Sequence, residues 1–153
     1  MRFTRLDIPE LILCEPEIFT DNRGYFTELF RKDKLDLFAG YEINFCQDNQ
    51  SMSEYGVMRG LHYQLPPKAQ AKYVRVIKGK ILDVAVDIRK QSKNFGKHIS
   101  IELSSENRKQ IFIPKGFAHG YIVLSDYAVV AYKSDNYYSP KFERGIYFDD
   151  PDL

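Results

Sequence analysis

The chain has 153 residues, the length of one domain that buries roughly 68–70% of the surface its unfolded form exposes. Its 22 Lys and Arg against 21 Asp and Glu leave a net charge of +1. That balance argues against a dedicated nucleic-acid or membrane surface, yet leaves room for a local cationic pocket around one anionic ligand. No run reaches the ~18 apolar residues of a membrane helix, and Met1–Asp7 has no apolar signal-peptide core, so a soluble, cytoplasmic protein is expected. Cys14 and Cys46 lack metal-ligand spacing and read as buried or half-buried thiols of a reducing compartment.

Along the chain, Asp21–Glu28 begins as a turn and continues as an alternating strand; Arg23 and Glu28 gain interest only if this arm reaches a pocket. Residues Asp33–Ala39 predict a short helix closed by Gly40. Gln47–Ser51 is a polar run that suits a base or sugar edge and equally suits a loop. Lys72–Ile77 and Ile81–Arg89 predict a hairpin turning at Lys78-Gly79-Lys80. In its second arm Leu82, Val84, Val86 and Ile88 alternate with Asp83, Asp87 and Arg89, which predicts one core face and one polar face. Ile99, Ile101 and Leu103 mark another strand, and residues 110–113 and 121–133 supply more, with a turn at Ser125-Asp126. Many short strands with Gly, Pro and Asn punctuation, and no internal repeat or linker, indicate an all-β sandwich or barrel.

Two glycine-framed blocks, Gly56–Gln64 and Pro114–His119, hold two of the three histidines. Pro-x-Gly-x-x-His resembles the second half-motif of the cupin barrels, so a cupin-type jelly roll is the specific expectation. Where metal cupins carry His-x-His, this chain reads His62-Tyr63-Gln64. His62 and Gln64 share a strand face, and the loss of one ligand points to organic acid–base chemistry with no metal. Arg59 and Lys72 add cations suited to an anionic substrate or an oxyanion intermediate. His119 follows Gly116, which allows close backbone approach, and Asp83 could fix its tautomer. Tyr132 lies two residues beyond Val130 on the long C-terminal strand, and Tyr137-Tyr138 suits either a core or an aromatic wall.

The whole chain resembles the dTDP-4-dehydrorhamnose 3,5-epimerase (RmlC-type) family. The resemblance is carried by Asp21–Glu28, Gln47–Asn49, Gly56–Gln64 with Pro66-Pro67, Gln70–Lys72, Asp83–Arg89, Ile113–Gly120, Tyr132-Lys133, Tyr137-Tyr138 and Asp149–Pro151. It implies one metal-free, cofactor-independent domain over residues 1–153, with short peripheral helical segments. The family is usually a homodimer whose N-terminal strands cross to the partner. It implies epimerisation of dTDP-4-dehydro-6-deoxy-D-glucose at C3 and C5 through an enolate, giving dTDP-4-dehydro-L-rhamnose. On this resemblance His62 is the base, Tyr132 the acid, and Lys72 stabilises the enolate oxygen with help from His119. Arg23, Glu28, Gln47, Asn49, Arg59, Lys72, His119 and Glu143 fall on substrate-binding positions, with Phe26 a stacking partner for thymine. Family members normally continue past Pro151 with a Trp-containing segment and a Lys-Asp pair, whose aspartate orients the histidine. This sequence stops at Leu153 without Trp, so a loss of rate is expected. The alternatives are an epimerase acting at C3 or C5 alone on another nucleotide 4-keto-deoxysugar, and a catalytically impaired nucleotide-sugar binding protein.

Overall fold

A computed structural model describes residues 1–151. The N-terminal half contributes β1 (Arg2–Arg5), β2 (Ile12–Glu15), β3 (Ile18–Asp21), β4 (Gly24–Thr27), helix α1 (Lys32–Ala39), β5 (Gln47–Glu54), β6 (Met58–Gln64) and β7 (Lys72–Lys78). Then come β8 (Lys80–Asp87), β9 (His98–Ser104), β10 (Gln110–Ile113), β11 (Phe117–Val123), β12 (Tyr127–Ser134) and β13 (Glu143–Gly145), with a single 3-10 turn at Pro140–Phe142. One sheet runs β1-β2-β10-β7-β12-β5 and a second runs β13-β6-β11-β8-β9. Every neighbouring pair is antiparallel, and the two sheets pack face to face as a jelly roll of the cupin type.

The core follows from period-two alternation. Val74, Val76, Ile111, Ile113 and Val130 point inward from the first sheet and meet Ile81, Ala85, Leu103, Phe117 and Val123 from the second. On β8 the expected sidedness is reversed. The inward face carries Ile81 and Ala85 together with the fully buried Asp83 and Asp87, whereas Val84, Val86 and Ile88 pack on the outer face with Leu61, Tyr63 and Ile146. The polar face is the interior because each carboxylate finds a partner there. Asp87 accepts from Arg89 and Ser92 at 2.6 Å each, and Asp83 accepts from His119.

Helix α1 ends as expected at Gly40, whose left-handed backbone lets its N–H reach the Asp36 carbonyl at 2.8 Å. It covers the outer face of the first sheet, where Leu35 packs with Ile12, Cys14, Ile43, Tyr73 and Phe112. Burial there pushes the Cys14 thiol up to about 12. Cys46, by contrast, is exposed, which corrects the expectation of two buried or half-buried thiols. No helix among the described residues is long and apolar enough to cross a membrane.

β3 and β4 form a hairpin paired only with itself, and all four residues of β3 are exposed. Phe19, Tyr25 and Phe26 stand in solvent, with the Arg108 guanidinium 3.9 Å above the Tyr25 ring.

Candidate functional site

The antiparallel register of β6 and β11 sets His62 directly opposite His119. Both line a cavity of about 710 Å³ between the sheets, with Arg59 and Tyr121 on the same wall. The facing wall is supplied by Asn49 and Ser51 of β5, Lys72 of β7, and Val130 and Tyr132 of β12. Alternation explains the polar lining: Gln47, Asn49, Ser51 and Ser53 turn towards the interior, whereas Asp48, Gln50, Met52 and Glu54 are exposed. The undecided polar run is therefore a strand, polar on its inner face because that face borders a cavity.

Neighbouring groups pin the lining. Arg59 Nε donates to Ser53 Oγ at 2.8 Å, and Ser51 Oγ pairs with the Tyr121 hydroxyl at 2.8 Å. Gln47 donates to Asn49 Oδ1 at 2.8 Å and accepts the Tyr138 N–H at 3.0 Å. His119 Nε2 lies 2.8 Å from Asp83 Oδ2; a carboxylate only accepts, so that nitrogen donates and the tautomer is set as anticipated. His62 is more open to the cavity; its Nδ1 stands 3.8 Å from Glu143 Oε1, and Tyr138 donates to Glu143 Oε2 at 2.7 Å. Glu143 arrives on β13, which pairs with β6 so that Glu143 faces Gln64 and Gly145 faces His62.

Lys72 Nζ lies 5.9 Å from the centre of the Tyr132 ring. Burial holds the Tyr132 phenol above its ordinary value, so it keeps its proton at neutral pH. Burial also lowers Lys72, against the opposing pull of Asp83 and Glu143. With the folded value below the unfolded one, the unfolded chain binds more protons between the two. The cost of burying the cation is thus carried at every pH below the folded value and is relieved as pH rises through it. Lys72→Met should therefore raise the melting temperature at neutral pH while depressing activity. A lowered melting temperature would show that Lys72 stabilises the fold despite its burial.

Of the residues singled out by sequence, His62, Lys72, Tyr132, Asn49, Arg59 and His119 line one cavity, with Gln47 and Glu143 one contact behind it. Arg23, Phe26 and Glu28 are not brought there within the chain. Arg23 pairs with Asp21 at 2.6 Å, Phe26 is 70% exposed, and Glu28 pairs with Arg31 and Lys34. Gln64 is buried and staples backbone, donating to the Lys68 carbonyl at 2.6 Å and accepting the Ser139 N–H at 2.6 Å. Among the described residues no group of three or more His, Cys, Asp or Glu could hold a metal ion. The His62–Glu143 contact escaped the sequence, because a three-residue strand 81 positions away carries no periodic signal.

The family model for dTDP-4-dehydrorhamnose 3,5-epimerase matches residues 5–153. The chain is 48% identical over 153 residues to the dTDP-4-dehydrorhamnose 3,5-epimerase of Shigella flexneri, an overlap spanning 100% of this chain and 84% of the relative. The crystal structure of the Elizabethkingia anophelis enzyme of that name superposes with a TM-score of 0.97 at 45% identity, covering 100% of this chain and 84% of that one. RmlC from Legionella pneumophila, solved in complex with dTDP-4-keto-L-rhamnose, gives a TM-score of 0.95 at 46% identity, covering 99% and 80%.

Proposed function

The chain belongs to the dTDP-4-dehydrorhamnose 3,5-epimerase family, and from that premise we propose that it inverts C3 and C5 of dTDP-4-dehydro-6-deoxy-D-glucose without a cofactor. The observation that carries this reading is the opposition of His62 and Tyr132 across one cavity, on β6 of one sheet and β12 of the other. Inversion needs a proton removed from one face of a carbon and another delivered to the opposite face. A base and an acid on facing walls meet that need.

The C4 ketone acidifies the hydrogens on both neighbouring carbons, so one base can serve both. His62, as a neutral imidazole, takes the proton, and the electron pair moves into the C4 carbonyl to give an enolate. Lys72 stabilises the developing oxyanion, with His119 beside it on the cavity wall. Tyr132, kept protonated by burial, returns a proton to the opposite face. Arg59 binds the diphosphate, and Gln47, Asn49 and Glu143 complete the sugar and nucleotide contacts. Incubation in deuterated water tests the proposal, since each enolate leaves deuterium at the carbon it passes through.

Arg23, Phe26 and Glu28 are assigned to the nucleotide of a neighbouring subunit. The exposed β3–β4 hairpin, rich in aromatic rings and self-paired, is suited to crossing into a second copy. A homodimer is therefore expected in sedimentation equilibrium, and a monomeric mass at micromolar concentration would remove these three residues from the site. A soluble nucleotide-sugar substrate fits a cytoplasmic enzyme.

A further inference from the structure

We infer that Ser53 is a positioning residue for Arg59, holding the guanidinium by Nε so that its two Nη groups are free to meet the diphosphate of the nucleotide sugar. The inference rests on Arg59 binding the diphosphate in the proposed function.

Ser53 turns inward from β5 and is buried, where the residue opposite it on β12 is Ala128. Ala128 and, two residues along, Val130 belong to the main hydrophobic core. An alanine would pack beside them without penalty, whereas a buried hydroxyl is unfavourable unless it is hydrogen-bonded. Arg59 Nε, donating to Ser53 Oγ at 2.8 Å, supplies that bond. Ser53 itself stands outside the cavity lining, so it acts on a ligand only through Arg59.

The Arg59 side chain is thereby fixed at both ends. At its root, β6 lies so close to β11 that a Cβ on Gly120 would fall 2.6 Å from the Arg59 carbonyl oxygen. At its tip, Nε is tied to β5 of the other sheet. The tie is a neutral hydroxyl, so the guanidinium is held without being neutralised. Arg31 and Arg89 differ, each being paired with two carboxylates. Arg59 remains exposed on the cavity wall, and with Nε engaged its Nη groups present four N–H donors in a rigid planar fork. An arginine ordered in advance loses less side-chain freedom when it clasps a phosphate. The diphosphate is remote from C3 and C5, so this contact is made equally in the ground and transition states and belongs in KM.

Calorimetric titration of dTDP onto the full chain tests the inference, with Ser53→Ala, Arg59→Ala and the double variant beside the wild type. Each variant is first checked for a cooperative thermal transition. Ser53→Ala should weaken dTDP binding about 3- to 10-fold, the span of one net hydrogen bond. KM should rise by a similar factor, with kcat within about two-fold. In the Arg59→Ala background, loss of the Ser53 hydroxyl should change dTDP affinity by less than about two-fold, because the group it positions is gone. Unchanged affinity in Ser53→Ala, beside a loss in Arg59→Ala, would overturn the inference. So would an effect of Ser53→Ala that persists without Arg59, the mark of a merely structural role, or a fall in kcat with KM unchanged. Unchanged affinity in Arg59→Ala would be a different failure: it would remove Arg59 from the diphosphate, and the inference would fall with that assignment.

Discussion

His62→Ala should abolish the exchange of solvent protons into C3 and C5 of the 4-keto sugar while leaving dTDP affinity within a few-fold. A positioned general base contributes about 10²–10⁴ in rate, equivalent to roughly 3–5 kcal/mol of barrier. Affinity should hold because the diphosphate and nucleotide are assigned to other side chains, among them Arg59, which is fixed through Ser53. Tyr132→Phe offers the contrast: exchange initiated by His62 persists, but the proton returns to the face it left, so inversion fails. Exchange in His62→Ala at the wild-type rate would remove His62 from the base role. Isotope incorporation by NMR and dTDP titration by calorimetry together check both halves.

The second large effect concerns folding. Gly60 has φ +125°, and a Cβ there would fall on the Gly120 Cα and within 2.7 Å of the His119 carbonyl oxygen. Gly120 is equally confined, since its Cβ would lie 2.6 Å from the Arg59 carbonyl oxygen. Strands β6 and β11 thus approach more closely than side chains allow, where His62 and His119 face each other. Gly60→Ala carries a backbone cost of about 1–3 kcal/mol and an overpacking cost of about 1–3 kcal/mol. For a chain of this size that corresponds to a melting temperature lower by roughly 10 °C. Gly96 supplies the control: its φ is +78°, but nothing lies within 4 Å of the added Cβ. Gly96→Ala should therefore show the backbone cost alone. Equal losses in the two variants, measured by thermal unfolding, would show that close packing of β6 on β11 is not the cause.

Much of this is legible in the amino-acid sequence alone. The strand over residues 110–113 has the expected bounds, and the expected strand over 121–133 does turn at Ser125-Asp126, becoming the separate arms β11 and β12. His62, Lys72 and Tyr132 emerge at one cavity because period-two alternation and antiparallel register leave few other arrangements. Face polarity misled at β8, where Asp83 and Asp87 point inward: a barrel that encloses a site can be polar at its centre. The same logic left Gln47–Ser51 undecided, since a strand bordering a wet cavity lacks the apolar alternation of a core strand. Glu143 was legible as a site residue only through family resemblance. Its contact with His62 depends on the register of β13, which composition does not encode. Arg23, Phe26 and Glu28 fall within a block that carries the family resemblance, yet they stand away from the cavity of their own chain, on or beside a hairpin whose strands pair only with each other.

In the proposed reaction His62 and Tyr132, on opposing walls, pass protons through an enolate of the 4-keto sugar. It is tested most directly by proton NMR of dTDP-4-dehydro-6-deoxy-D-glucose incubated with this chain in deuterated water. Loss of the C3 and C5 proton signals, together with appearance of the L-rhamno product, is the predicted result. Retention of both signals by a folded chain that binds dTDP would rule out the epimerase reaction and leave a nucleotide-sugar binding barrel without turnover.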